Sequence, residues 1–207
     1  MRTHTKETQN GVTPEMALTL LKEGNERFMG NLKANRNLLQ QVNDTADGQF
    51  PFAAILSCMD SRTSAELIFD QGLGDIFSIR VAGNILNEDI LGSMEYACGV
   101  AGSKLVLVLG HTKCGAIIGA CDHVELGNLT NLLHKVKPAL DQETSTTQDR
   151  NGRNPEFVRN VTELNVHMTL DRVRQESALL ADLEATGQIK IVGGLYCVDS
   201  GQVTFYE

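Results

Sequence analysis

Leu105-Val106-Leu107-Val108-Leu109-Gly110-His111-Thr112-Lys113-Cys114-Gly115 is the stretch that decides how this chain folds. Its first five residues are apolar without alternation, the pattern of a strand covered on both faces in a parallel sheet. A turn then ends the run and carries a histidine and, three residues on, a cysteine. A cysteine in that place can put its sulfur at the N-terminus of the next helix, where the helix dipole favours a thiolate.

Working outward, further strands are expected over 52–57, 76–81 and 189–198, with helical stretches at 64–69, at 87–100 and in a longer run beginning near Cys114. Strands alternating with helices imply right-handed crossovers and an α/β fold. Residues 202–206 follow an Asp199-Ser200-Gly201 turn and read as an antiparallel strand. The expected fold is therefore α/β, with a mostly parallel central sheet of about four parallel strands plus an antiparallel edge strand, flanked by helices. Upstream, residues 1–13 are polar and read as a loose arm. Thr13 then caps a helix with Pro14 at its first position. Met16, Leu20, Leu21 and Phe28 form its apolar stripe, to about residue 30. Residues 31–51 read as irregular. Residues 141–154 read as a surface loop, and Phe157, Val161, Leu164 and Met168 beyond it mark an amphipathic helix. A chain of 207 residues suits one domain, with an N-terminal helical arm over 1–50 and an α/β core over 51–207.

Composition narrows the function. A formal net charge of −8 argues against a grip on nucleic-acid phosphate. No run of 18 apolar residues exists, so no bilayer span is expected, and the first residues lack the apolar core of a secretory signal. Five cysteines make a poor disulfide framework, so reduced thiols and a cytoplasmic location are expected.

The chemistry gathers at two strand ends. Ser57-Cys58-Met59-Asp60-Ser61-Arg62 lies where the first strand ends, and His111-Thr112-Lys113-Cys114 where the third does. In open α/β sheets, sites form beyond the carboxyl ends of strands, so these segments can converge. Two cysteines and a histidine are a borderline-soft donor set that suits Zn²⁺. Cys98 and Cys197 fall in apolar stretches and read as core. Cys121 reads as packing, and His123, His134 and His167 as surface or interface residues.

C-x-D-S-R followed by H-x-x-C resembles the signature of the β-type carbonic anhydrases. The similarity runs from about Gln49 through Cys121, includes Ile79-Arg80-Val81-Ala82-Gly83-Asn84, and resumes weakly over 193–203. The resemblance implies zinc held by Cys58, His111 and Cys114, and a catalytic pair, Asp60 and Arg62. It implies the reversible hydration of carbon dioxide to bicarbonate and a proton, and a homodimer or homotetramer with active sites near the subunit interface. Three protein ligands leave a fourth position for water, whose pKa the metal lowers. Arg62 would hold Asp60 ionised and off the metal. Without that hold Asp60 could become the fourth metal ligand and close the site. Gln49 and the Gly115 backbone N–H are candidates for binding a bicarbonate oxygen. The branch with an inhibitory bicarbonate site carries a Trp where this chain has Ile55, so that device is expected to be absent, although Arg80 and Tyr196 match its other positions. Two alternatives share the motifs: a carbonyl sulfide or carbon disulfide hydrolase, and a non-catalytic zinc-binding protein.

Overall fold

All four apolar runs become strands of one sheet in the computed structural model, which describes residues 3–207. The strands are β1 (Ala53–Ser57), β2 (Ile76–Arg80), β3 (Leu105–His111), β4 (Lys190–Tyr196) and β5 (Val203–Tyr206). Their order is β2-β1-β3-β4-β5, with β1 to β4 parallel and β5 antiparallel to β4. The helices are α1 (Lys6–Asn10), α2 (Pro14–Met29), α3 (Leu38–Asp44), α4 (Ala65–Ile68), α5 (Glu88–Glu95), α6 (Gly115–Cys121), α7 (Gly127–His134), α8 (Lys137–Gln142), α9 (Pro155–Glu176) and α10 (Ala178–Ala185).

Every residue of β1 and β3 is buried, as their unbroken apolar runs require. Alternate side chains serve opposite faces. Ile55, Leu105, Leu107 and Leu109 join Leu21, Ile68 and Phe69 on one side. Leu56, Val106 and Val108 join Met94, Val166, Leu170 and Leu180 on the other. Ser57 pairs with Leu109 across the ladder, so β1 and β3 end side by side and deliver Cys58 and His111 to one rim of the sheet.

Several expectations need correction. The polar arm is not loose. Residues 6–10 form α1, capped by Thr5, and the buried Gln9 amide donates to the carbonyls of Pro51 (2.7 Å) and Ala101 (2.8 Å). Met1 and Arg2, the first residues of that arm, lie outside the described residues. The stretch 31–51 contains α3, capped by Asn37. α2 starts at Pro14 under its Thr13 cap, but Met16 is 49% exposed and Leu20 and Phe28 are half-buried. The buried face runs instead through Ala17, Leu18, Leu21, Gly24 and Asn25. Gly24 belongs there because a Cβ would stand 1.8 Å from the Phe69 carbonyl oxygen. Asn25 belongs there because its amide donates to the Ile68 and Gly201 carbonyls and accepts from the Val203 N–H. The long helix after Cys114 is three short ones, broken between α6 and α7, where His123 and Gly127 take positive φ, and again at Lys135 and Val136. On α9 the buried face includes Val161, Thr162, Asn165 and Val166, while Leu164 and Met168 are half-buried. Cys98 is buried as expected, but Cys197 is partly exposed.

Glu143 organises the 141–154 loop. Its buried carboxylate accepts from Ser145, from the backbone and side chain of Thr146, and from Arg150. Burial opposes its ionisation, but those hydrogen bonds prevail and bring its pKa to about 2. Because the folded pKa lies below the ordinary carboxylate value, the stabilisation is complete above pH 4.5 and fades as pH falls toward 2. Glu143→Gln is expected to cost about 2 kcal/mol, the scale of hydrogen bonds to a charged group, and to expose the loop to limited proteolysis at neutral pH. Unchanged thermal stability and cleavage would contradict this account.

Candidate metal centre

The β1 exit loop is built to present a sulfur. Cys58 follows the last strand residue and is buried, and the backbone N–H groups of Asp60 and Gly83 both donate to its Sγ at 3.4 Å. Its carbonyl accepts from Thr63 Oγ1 (2.8 Å) and from both Nε and Nη2 of Arg80 (3.2 Å each). Arg80 Nη2 also donates to the Asp60 carbonyl at 2.6 Å, so this guanidinium clasps the whole turn from below. Asp60 then meets Arg62 in a two-point pair, Nε to Oδ1 at 2.9 Å and Nη2 to Oδ2 at 2.7 Å, with the Arg62 N–H donating to Oδ1 at 2.9 Å. That pair, above all its side-chain hydrogen bonds, holds the Asp60 carboxyl well below the usual carboxylate range. Arg62 Nη2 is itself steered by the Lys113 carbonyl at 3.3 Å, which ties the first loop to the second.

The second loop supplies the other donors. His111 ends β3, buried, with Nδ1 2.9 Å from the Thr112 carbonyl. A carbonyl only accepts, so Nδ1 carries the proton and Nε2 keeps its lone pair. Nε2 is buried and has no hydrogen-bond partner among the described residues. Lys113 turns the chain at φ 56°, and Cys114 caps α6. The Sγ atoms of Cys58 and Cys114 are 3.9 Å apart, and the donor atoms of Cys58, His111 and Cys114 all lie within 4.8 Å of one another. Two sulfurs on a tetrahedral zinc at its usual Zn–S length stand about 3.8 Å apart. An orphaned buried imidazole nitrogen and two sulfurs at that spacing fit zinc. Hydrogen bonding from Cys114 favours Cys58 as the thiolate, and that thiolate and burial push the Cys114 thiol upward. Metal uptake must therefore release the proton that the pair retains.

Residues 53–203 match the family model described as carbonic anhydrase. The chain belongs to the β-carbonic anhydrase family. Carbonic anhydrase 2 of Mycobacterium tuberculosis is 36% identical over 200 residues, covering 94% of this chain and 93% of that one. The β-carbonic anhydrase CafA of Aspergillus fumigatus superposes with a TM-score of 0.72 at 26% identity, over 93% of this chain and 90% of that one. One of two tetrameric β-carbonic anhydrases from Sordaria macrospora gives a TM-score of 0.68 at 22% identity, over 80% of this chain and 89% of that one. The likeness to these structures extends over the mostly parallel sheet with its antiparallel edge and its flanking helices.

Within this β-carbonic anhydrase, Cys58, His111, Cys114, Asp60 and Arg62 stand together as the motifs suggested. Asp60 has both oxygens committed to Arg62 and is outside the group of converging donors. Gly115 opens α6, and a Cβ there would meet nothing within 4 Å among the described residues, so the helix start is uncrowded on that side. Gln49 is exposed in the segment before β1 and makes no hydrogen bond to the cluster among the described residues. Ile55 is fully buried in the sheet. The supporting roles of Thr63 and Asn165 were not legible. Thr63 adjoins the C-x-D-S-R block and could have been suspected. Asn165 gave only the weak signal of an amide on a largely apolar helical face.

Proposed function

We propose that this chain catalyses the reversible hydration of carbon dioxide, with zinc held by Cys58, His111 and Cys114 and with Asp60 and Arg62 as its catalytic pair. The observation that carries the reading is the convergence of three donors within 4.8 Å beside an aspartate already neutralised by an arginine. Bound there, zinc supplies a Lewis acid that lowers the pKa of a water in the remaining position. Asp60 stays ionised and accepts a hydrogen bond from the attacking water, which orients it toward the carbon. Arg62 pins that carboxylate in place. The Gly115 N–H, at the uncrowded start of α6, and the Gln49 side-chain amide bind the oxygens of bicarbonate.

Stopped-flow hydration across pH, with zinc quantified on the same sample, tests this reading. Two thiolates cancel the metal's charge, so the water should ionise at higher pH than at a three-histidine site. Asp60 is depressed and remains ionised throughout the assay range, so it adds no inflection of its own. Hydration should therefore rise toward alkaline pH with zinc near one per chain. Full activity in zinc-free protein would overturn the reading.

The assembly is proposed to be a homodimer or homotetramer. Leu32 (64%), Leu38 (56%), Leu39 (73%) and Val42 (50%) expose apolar side chains along the arm, which a neighbouring subunit would cover. The five free cysteines support a cytoplasmic location. No helix among the described residues is long and apolar enough to cross a membrane.

A further inference from the structure

A two-step relay of hydrogen bonds joins the interior of α9 to a sulfur of the metal centre. Asn165 is buried at 5% exposure, and its Nδ2 donates to the Gly83 carbonyl at 3.0 Å, across 82 positions of sequence. The Gly83 N–H in turn donates to Cys58 Sγ at 3.4 Å. Gly83 sits in the short turn Ala82–Asn84 with φ 67° and ψ 15°, a left-handed conformation that a side chain would strain. The helix comes this close because Gly110, one residue before His111, has no side chain. A Cβ there would stand 2.7 Å from Val166 Cγ2 and 3.2 Å from Thr162 Cγ2.

We infer that Asn165 is a positioning residue of the metal centre, fixing the Gly83 turn so that its amide hydrogen-bonds Cys58 and tempers the electron donation of that sulfur. The inference rests on Cys58 being a zinc ligand. An N–H aimed at a thiolate stabilises its lone pairs, so the turn's orientation sets how strongly the sulfur donates to a metal. Hydrogen-bonding partners of this kind govern both ligand orientation and metal retention. An apolar residue at 165 would pack as well against the sheet but would leave the buried Gly83 carbonyl without its donor. Asn165 itself is bonded to the turn, one residue removed from the sulfur.

The test compares the parent with Asn165→Ala and Asn165→Asp, both of which remove the amide donor, and with Thr162→Val. Thr162 is a buried residue one turn earlier whose hydroxyl donates to the Val158 carbonyl at 2.7 Å. Each protein is loaded with Co²⁺ and its sulfur-to-cobalt charge-transfer band recorded. Zinc-loaded samples are then challenged with a chelator. In the Asn165 variants the untempered sulfur should move the band to lower energy, while the loss of the turn's hold on the Cys58 orientation should let zinc escape about tenfold faster, at the low end of such effects. Thr162→Val should keep the parent's band. A parent-like band in both Asn165 variants, whatever their melting temperatures, would overturn the inference. So would the same band shift in Thr162→Val, or failure of both Asn165 variants to fold, since Asn165 would then serve the fold and not the metal. A parent without any sulfur-to-cobalt band would overturn the ligand assignment itself, an outcome separate from a normal parent with unresponsive variants.

Discussion

Cys58→Ser protein is expected to emerge from purification with under about a tenth of the parent's zinc, and to hydrate carbon dioxide no faster than buffer does. The serine hydroxyl is a poor ligand because it stays protonated where a thiolate forms readily. Complete four-ligand zinc sites in small peptides bind with about 10–16 kcal/mol, so one ligand carries roughly 3 kcal/mol, or about a hundredfold in Kd. The loss is aggravated here because the amides of Asp60 and Gly83 both point at the missing sulfur. Cys114→Ser should behave alike, since its sulfur lies 3.9 Å from that of Cys58. Metal analysis of the folded variants, verified by circular dichroism, checks the expectation. Full zinc occupancy in Cys58→Ser would remove Cys58 from the ligand set.

Arg62→Ala should do the opposite: keep its zinc and lose its turnover. Arg62 gives Asp60 two side-chain hydrogen bonds, at 2.9 and 2.7 Å, and is 48% exposed in its side chain. Exposed pairs contribute about 0–1 kcal/mol to folding, so the variant should melt close to the parent. Asp60, two residues from Cys58, then loses its counter-charge and is free to occupy the remaining metal position. Removing a positioned acceptor of this kind costs on the order of a hundredfold in kcat. X-ray absorption should show an oxygen ligand in Arg62→Ala that does not exchange with solvent. Asp60→Asn should also lose turnover but keep an exchangeable oxygen. Parent-like rates in Arg62→Ala at every pH would show that the pair has no part in opening the site.

The sheet and the residues of the converging donor cluster were legible because each is encoded locally. Five apolar residues in succession at 105–109 demand burial on both faces whatever surrounds them, and β3 starts with that run and ends two residues beyond it. Two pairs near the strand ends are likewise announced by spacing: the short turn after β3 brings Cys114 back beside His111, and Arg62 follows Asp60 by two positions so that the pair can close on itself.

What the tertiary structure alone decided is where polar groups are satisfied by partners distant in sequence. Gln9 is buried because Pro51 and Ala101 need a donor. Asn25 and Gly24 displace Met16 and Leu20 from the buried face of α2 because the Phe69 backbone crosses there and carbonyls beside it need the amide. Arg80, which matches a position of the bicarbonate device expected to be absent here, clasps the carbonyls of Cys58 and Asp60. Asn165 reaches Gly83 only because Gly110 admits α9 to the sheet. Periodicity reports which residues avoid water, and local spacing reports which can meet across one turn. Neither can report a hydrogen bond between segments 20 to 180 residues apart, because a buried polar group is favourable only when the fold has already brought its partner into reach.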